Sequence, residues 1–285
     1  MEVQEGKEIM DKEQVAVIIL NYKSWKDTLQ EAQLVHDLFH LRWEQIIIID
    51  NASPNESKDE LEKKAIGNYV FIETGENNGY ASGNNVGLRY AYEKGYKFGW
   101  ILNNDIIIED ENVLEELLRI FSIDKSIAVV NPDVYSPTGY LFNRNSKRRS
   151  FWDYTLGYVS YKKKGRHLNL LDGYGYIWRP QGCCMMVDLG KMNEIGYLDE
   201  NTFLYCEEPI LGEKILKAGY RAACACEVEV IHNHSTTVKS VLQKEEIIKT
   251  HNRSFEYYLC SYRGFNRLQV KLCLMVATLE MRIKG

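Results

Sequence analysis

Asn103, Asn104 and Asp105 follow directly after the apolar segment 100–102 (WIL). We expect that segment to end a buried strand, and open α/β sheets bind their ligands at the carboxyl ends of strands. Asp105 is therefore a candidate ligand for Mg²⁺ or Mn²⁺, hard cations that prefer carboxylate oxygens and share their shell with phosphate and water. A single carboxylate supplies too few ligands for a metal site. Unless a second ligand lies nearby, Asp105 is better explained as an ordinary turn residue.

Two further groups that can do chemistry occur downstream. His232 ends a β-like run and is the candidate second metal ligand, with a hydrogen-bonded strand-end histidine as the alternative. His234 would share its face in an extended segment and is the reserve ligand. Glu207 and Glu208 begin a predicted helix, whose dipole favours ionised carboxylates at its N-terminus. Glu208, or else Glu207, could deprotonate an attacking hydroxyl, although acids also commonly cap helices.

Two earlier polar turns have the composition of a nucleotide pocket. Asp50 and Asn51 end an apolar run, where a carboxylate can accept hydrogen bonds from a base or ribose; an ordinary turn cap is equally consistent. Segment 77–85 (NNGYASGNN) places small residues and amides at a helix start, which favours anionic groups. It lacks the Gly-Lys-Ser/Thr sequence of a Walker A motif, and a capped helix is the alternative.

The elements that position these groups alternate between strand and helix. The predicted strands cover residues 15–20, 45–50, 69–73, 98–102, 127–131 and 181–187. The predicted helices cover residues 24–41, 56–66, 82–94, 111–121 and 207–218. Short connections between alternating elements predict an α/β fold with a mostly parallel, Rossmann-like central sheet flanked by helices. The pattern is interrupted by an irregular insert at 133–177, which carries basic clusters at 147–149 and 162–164.

The composition of the chain excludes several classes of protein. A chain of 285 residues with 45% hydrophobic content builds one large domain, alone or with an appendage. The net charge of −5 argues against a nucleic-acid partner. Seven irregularly spaced cysteines indicate reduced thiols rather than disulfides or zinc ligands. The polar start of the chain and the lack of an apolar run of about 18 residues predict a cytoplasmic protein.

The final segment, 241–285, is predicted to be helical and basic. Its cationic residues surround the apolar run 272–277 (LCLMVA) and are Arg263, Arg267, Lys271, Arg282 and Lys284. This composition is typical of a helix at the surface of an anionic membrane. A helix that packs on its own domain and a homodimer surface are the alternatives. The basic insert is likewise either a membrane or lipid-diphosphate contact or a solvated loop.

The order and spacing of the segments resemble those of family-2 inverting glycosyltransferases with a GT-A type fold, especially the rhamnosyl- and galactofuranosyltransferase-like branch. The resemblance covers about residues 15–240. It is carried by VAVIILNYKSW at 15–25, IIIIDNAS at 46–53, ENNGYASGNNVGLRYA at 76–91, WILNNDI at 100–106, the segment 181–220 that begins QGCCMMVDLG, and VIHNHS at 230–235.

The resemblance assigns roles to matching positions. Asp105 matches the last acid of the family's metal motif, and His232 matches a histidine that completes the metal site. Glu208 matches the catalytic base of an acidic pair, with Glu207 beside it. The residues implied for the nucleotide pocket are Asn21, Asp50, Asn51, Asn78, Gly79, Asn84 and Asn104.

These roles imply a domain plan and an activity. A polar tail (1–14) precedes a GT-A domain (15–240), which divides into a donor-binding half (15–131) and an acceptor-binding half (132–240), and a helical extension follows (241–285). The implied reaction moves a sugar from dTDP-rhamnose or a UDP-sugar to a glycan hydroxyl. We expect the acceptor to be lipid-linked and the enzyme to serve cell-surface polysaccharide biosynthesis at the inner membrane face.

Two positions depart from the family pattern. Asn103 replaces the first acid of the metal motif, and Glu208, followed by Pro209, stands where the family has aspartate. A pseudoenzyme that binds a nucleotide-sugar is therefore an alternative. A nucleotidyltransferase is a more distant one, because the first loop (NYKS at 21–24) lacks the glycines which that chemistry usually requires.

Overall fold

The computed structural model describes residues 11–157, 168–233 and 244–284. The strands are β1 (Val15–Asn21), β2 (Ile46–Asp50), β3 (Val70–Glu73), β4 (Phe98–Leu102), β5 (Ile106–Ile107), β6 (Ile127–Tyr135), β7 (Tyr174–Ile177), β8 (Cys184–Asp188) and β9 (Arg221–His232). The helices are α1 (Trp25–Phe39), α2 (Ser57–Ala65), α3 (Tyr80–Glu93), α4 (Val113–Ile123), α5 (Phe151–Tyr154), α6 (Leu189–Glu194), α7 (Glu207–Lys217), α8 (Lys244–Ser261) and α9 (Arg267–Lys284).

The strands form one sheet in the order β3-β2-β1-β4-β8-β6-β9-β5, with β7 paired to β9 beside this path. Strands β1 to β4 are parallel, as the alternation of elements predicts. Residues 15–19 and 46–49 are fully buried, which is typical of strands covered by helices on both faces. The predicted fold class, an α/β sheet flanked by helices with a C-terminal helical extension, is confirmed.

The second half of the sheet is mixed in direction. Strand β8 runs antiparallel between β4 and β6, so β6 does not continue the parallel series beside β4. Strand β9 is parallel to β6 and antiparallel to both β5 and β7. The periodicity of a sequence predicts that a strand exists. Which strands it pairs with depends instead on the connection that leads from one strand to the next. Here a long insert separates β6 from β8 and allows the later strand to enter between the earlier ones.

Part of the basic insert is structural. Arg148 donates from Nε to Glu213 Oε1 at 2.8 Å and from Nη2 to Oε2 at 2.6 Å. Glu213 lies on α7 and is buried, so Arg148, whose side chain is 44% exposed, anchors the insert to that helix. A membrane or lipid contact of this basic cluster stays a prediction. The second basic cluster, 162–164, lies outside the described residues.

The C-terminal extension packs on the domain through one face. Phe255, Tyr258 and Leu259 of α8 form a buried cluster with Tyr154 and Ile210. Nε of Arg263, between the two helices, lies 3.4 Å from Glu213 Oε1 and its side chain is only 7% exposed, so this basic residue serves packing. None of the described helices combines the length and the apolarity required to cross a membrane.

All seven cysteines lie in the described ranges and are free thiols, as their irregular spacing predicts. Cys224 and Cys226 lie with Asp133 so that their ligand atoms are within 4.8 Å of one another. Arg144 donates to both carboxylate oxygens of Asp133 and neutralises it. We therefore interpret this cluster as a buried ion pair with two thiols beside it.

Candidate active site

Strand β5 brings Asp105 to His232. This two-residue strand follows Asp105 directly and pairs with the end of β9, where Ile106 lies opposite His232. The amide of Asn233 also donates to the backbone oxygen of Asp105 at 3.0 Å. As a result, Asp105 Oδ1 lies 3.3 Å from His232 Nε2, with side chains that are 13% and 12% exposed. The structure thus brings together the two residues that the sequence predicts as metal ligands.

The donor atoms at this position suit a divalent cation. A carboxylate oxygen and an imidazole nitrogen that lie 3.3 Å apart can both reach one small cation at ordinary ligand distances. Asn103, at the position of the first motif acid, lines the adjoining cavity and adds a neutral amide rather than a charge. Such a site needs substrate phosphate and water to complete its coordination. The reserve ligand His234 lies outside the described residues.

Glu208 is held in the first turn of α7. Its Oε1 accepts a hydrogen bond from the amide of Gly182 at 2.9 Å, and its Oε2 lies 3.6 Å from Nε of Arg179. The side chain is 23% exposed and lines the cavity. These contacts fix the carboxylate at the cavity wall, where it can receive a proton from a bound hydroxyl.

Glu207 has a different environment from its neighbour. Burial raises the pKa of Glu207 to about 8, and the charge of Glu208 adds to the shift. Although the residue as a whole is part-exposed, Oε1 is enclosed and accepts no hydrogen bond from the described residues. This raised pKa favours the protonated form of Glu207 at neutral pH.

The turn that leads into α7 is strained and contacts the donor-side loop. Tyr205 and Cys206 have φ angles of 72° and 67°, which residues other than glycine adopt uncommonly. A Cβ atom on Gly79 would lie 2.0 Å from the backbone oxygen of Phe203, so only glycine fits there. Tyr80 donates its amide hydrogen to the same oxygen at 3.0 Å. The start of α3 and the acidic pair are therefore positioned against each other.

A cavity of about 500 Å³ adjoins both groups. The cavity is lined by four of the predicted residues or their neighbours, namely Asn103, Glu207, Glu208 and His232. Its walls also contain Arg149, from the predicted basic cluster 147–149. The further lining residues to which the sequence assigned no role include Tyr154, Trp178, Arg179, His251, Phe255, Tyr258 and Glu280. Arg179 has one sequence signal, since it directly precedes Pro180 and the conspicuous QG segment, whereas the others are placed only by the tertiary fold.

Asp50 is the last residue of β2 and is fully buried. Its Oδ1 accepts from Asn21 Nδ2 at 2.6 Å and from Ser53 Oγ at 2.7 Å, while Oδ2 accepts from the Ser53 amide at 2.9 Å. Asn21 also accepts from Thr28 Oγ1 at 2.8 Å. In this structure Asp50 and Asn21 brace the turns after β1 and β2, and a contact of Asp50 with nucleotide stays a prediction.

The remaining predicted pocket residues frame the same edge of the sheet. Asn51 donates to Asn77 Oδ1 at 3.0 Å and to the Gly79 oxygen at 3.2 Å. Asn104 donates to Ser24 Oγ at 2.9 Å and to Thr28 Oγ1 at 2.7 Å.

Asn78 is exposed, whereas Asn84 is buried and donates to the Tyr80 oxygen at 2.9 Å. Unlike the acidic pair, none of the seven predicted pocket residues lines the cavity. They lie beside it, at the ends of the parallel strands and at the start of α3.

Comparison with known proteins points to one family. The family model described as Glycosyl transferase family 2 matches residues 16–186, more than half of the chain. The low-salt glycan biosynthesis hexosyltransferase Agl10 of Haloferax volcanii is 25% identical over 77% of this chain and 67% of its own length. The O-antigen chain rhamnosyltransferase WbaN of Salmonella anatum is 24% identical over 70% of this chain and 60% of its own length.

Solved structures share the fold. GalNAc-T7, crystallised with UDP, GalNAc and Mn²⁺, aligns with a TM-score of 0.62 and 17% identity over 87% of this chain and 48% of that one. The mannosyltransferase PcManGT from Pyrobaculum calidifontis, in complex with GDP-Man and Mn²⁺, aligns with a TM-score of 0.57 and 14% identity. The alignment covers 93% of this chain and 69% of that one. The chain thus spans only part of each of these proteins.

Proposed function

This chain belongs to glycosyl transferase family 2, and from that premise we propose that it is an inverting glycosyltransferase that uses a nucleotide-diphosphate sugar. The observation that carries the proposal is the meeting of two predicted groups at one cavity. Glu208 and His232 both line it, and Asp105 lies beside His232. A base and an oxygen–nitrogen cation site on the same cavity are what transfer to a hydroxyl requires.

In the proposed reaction, Glu208 receives the proton of an acceptor hydroxyl while the hydroxyl oxygen forms a bond to the anomeric carbon. The bond from that carbon to the donor diphosphate breaks, and the nucleoside diphosphate leaves with the bonding electrons. Asp105 and His232 hold the divalent cation, which when bound supplies charge that neutralises the diphosphate. Direct attack from the opposite face inverts the anomeric centre without a covalent enzyme intermediate.

We further propose a dTDP-rhamnose or UDP-sugar donor and a lipid-linked glycan acceptor in cell-surface polysaccharide biosynthesis. The descriptions of the two relatives as a hexosyltransferase and a rhamnosyltransferase of glycan assembly support this range of donors. Aromatic side chains of the cavity, including Trp178 and Tyr154, offer stacking surfaces for sugar rings. Mn²⁺ in both structural neighbours supports a divalent cation, with Mg²⁺ as the alternative.

The test is donor turnover. Purified protein is incubated with a panel of dTDP-, UDP- and GDP-sugars, with Mn²⁺, Mg²⁺ or a chelator, and release of nucleoside diphosphate is measured with and without glycan acceptors. We expect one nucleotide-sugar to be consumed, faster with acceptor, and only with a divalent cation. Tight donor binding without any turnover would contradict the proposal and favour a pseudoenzyme.

A further inference from the structure

Helix α9 has two sides with different environments. Its inner side packs on α8 and reaches the cavity, which is lined by Val276, Ala277, Glu280 and Met281. Its outer side carries Leu268, Leu272, Met275, Leu279 and Ile283, which are 68%, 36%, 60%, 59% and 75% exposed. At about 100° per residue, these five side chains lie within about 80° of the helix circumference. They form a continuous apolar row, hereafter the α9 row, which no described residue covers.

A row of cations borders the α9 row along one flank. Arg267, Lys271 and Arg282 are exposed, and at about 100° per residue they occupy the arc next to the apolar side chains. The acid of this helix, Glu280, faces the cavity instead. Arg282 forms an exposed ion pair, with Nη2 lying 3.4 Å from both carboxylate oxygens of Glu245 on α8. The exposed arc is therefore apolar and cationic, although the protein as a whole carries a net charge of −5.

We propose that the α9 row docks the protein onto the surface of an anionic phospholipid bilayer. A helix that lies in the interfacial plane buries its apolar side chains at the headgroup boundary and pairs its cations with anionic lipid. The α9 row matches the apolar layer of a bilayer, and the cations beside it match the negative charge of anionic headgroups.

A second copy of the chain fits the same face less well. In an antiparallel two-fold contact through α9, the flank that carries Arg267, Lys271 and Arg282 would meet the same flank of the second copy. Like charges placed together across an interface oppose association. The charge pattern therefore favours lipid over self-association.

Docking through this face would place the cavity close to the bilayer. The same helix presents Met275 and Leu279 outward and Val276 and Glu280 to the cavity, so the two surfaces are separated by the width of one helix. An acceptor carried on a lipid would then reach the cavity without leaving the membrane. This last step rests on the proposed function, whereas bilayer binding by α9 does not.

The test is flotation of the full-length protein with vesicles. We expect binding to vesicles of phosphatidylcholine that contain phosphatidylglycerol, weak binding to phosphatidylcholine alone, and weaker binding at high salt. The double substitution Met275→Glu and Leu279→Glu should lower the bound fraction at least about tenfold, since it removes apolar burial and adds repulsion from the lipid. Ile66→Glu, at a residue that is 86% exposed elsewhere, is the matched control and should bind like wild type.

Two outcomes would overturn the proposal. One is a wild-type protein that does not float with anionic vesicles, and the other is a double variant that floats equally well. If wild type instead forms a dimer by light scattering that the double variant loses, and lipid does not bind, the face joins two copies. Donor turnover in the absence of lipid is measured on the same samples, so failure of the docking proposal is distinguished from failure of the proposed reaction.

Discussion

Adjacent acids on α7 show how burial divides chemical roles between identical residues. Glu208 is part-exposed at the cavity wall and contacts Arg179 and the Gly182 amide. Oε1 of Glu207 is enclosed, and burial raises the pKa of this residue to about 8. The sequence predicts the pair and its position in a helix, but not which member has its pKa raised, because that depends on atoms brought from distant segments.

Glu208→Gln and Glu207→Gln should therefore differ in their effects. We expect Glu208→Gln to lower the transfer rate at pH 7 by a factor of about 100 or more, because an amide cannot accept the hydroxyl proton. Glu207→Gln replaces a protonated carboxyl with a neutral amide and should keep most of the activity. Initial rates of nucleoside diphosphate release measure both, with donor affinity as the control. Equal loss in the two variants would contradict the assignment of the base.

Glu31 on α1 should make stability depend on pH. Burial and the nearby Asp105 raise its pKa from 4.5 to about 9. Between these values the unfolded chain ionises this carboxyl and the native protein does not, so stability falls as pH rises, by up to about 1.4 kcal/mol per pH unit. Glu31→Gln removes this dependence. The free energy of unfolding of the variant should exceed that of wild type by an amount that grows from pH 5 to pH 8.

Urea unfolding with a chelator present measures the effect of Glu31, and Glu62→Gln at an exposed position of α2 is the control. A difference between wild type and Glu31→Gln that stays constant with pH would contradict a protonated native carboxyl.

At the scale of elements, the sequence predicts the strands and helices more readily than their neighbours. Strand β1 through α3 follows the expected alternation, and α7 begins at Glu207 as its proline and acids indicate. Strand β5 has two residues and no periodicity, yet its pairing with β9 places Asp105 beside His232. The position of β8 between β4 and β6 also cannot be predicted from the sequence, because it depends on pairing between segments that are distant along the chain.

The contact between Gly79 and Phe203 joins the donor-side loop to the acidic pair. Gly79→Ala would place a methyl group 2.0 Å from the Phe203 oxygen at a φ of +94°. Gly67→Ala is a matched control, since Gly67 also has a positive φ of +77° but no atom within 4 Å of the added carbon. We expect Gly79→Ala to cost more stability than Gly67→Ala, which carries only backbone strain of about 1–3 kcal/mol.

The unfolding free energies of the two glycine variants, measured in urea, give the difference directly. Equal losses would show that the α3 loop is free to move away from Phe203, contrary to the close packing inferred here.

Glu213 links α7 to both the insert and the C-terminal helices. It accepts two hydrogen bonds from Arg148 and lies 3.4 Å from Arg263 Nε. Glu213→Gln leaves Arg263, which is only 7% exposed, without its counter-charge. Removing one partner of a buried pair typically costs about 3–5 kcal/mol.

We expect the Glu213→Gln variant to unfold at lower urea concentration and to lose protection of α8 and α9 from hydrogen exchange. Glu62→Gln again serves as the control. Unchanged protection would mean that apolar packing alone holds these helices.

At the scale of the whole molecule, one edge of the sheet collects the proposed chemistry. The predicted nucleotide residues lie at the ends of β1 and β2, at the start of α3 and in the turn after β4, and the end of β9 supplies His232. The parallel strands and the family resemblance make this edge predictable from the sequence. The closing wall of the cavity is not predictable, because residues of α8 and α9 such as His251 and Glu280 reach it only through the tertiary fold.

In the proposed reaction, Asp105 and His232 hold a divalent cation against the diphosphate of a nucleotide-sugar. Titration calorimetry of UDP, dTDP and GDP, with and without Mn²⁺, tests it most directly on wild type, Asp105→Asn and His232→Ala. We predict that one nucleotide binds wild type only when Mn²⁺ is present, and that either substitution weakens this binding at least tenfold. Nucleotide binding that is independent of Mn²⁺, or that is unchanged in Asp105→Asn, would contradict the account.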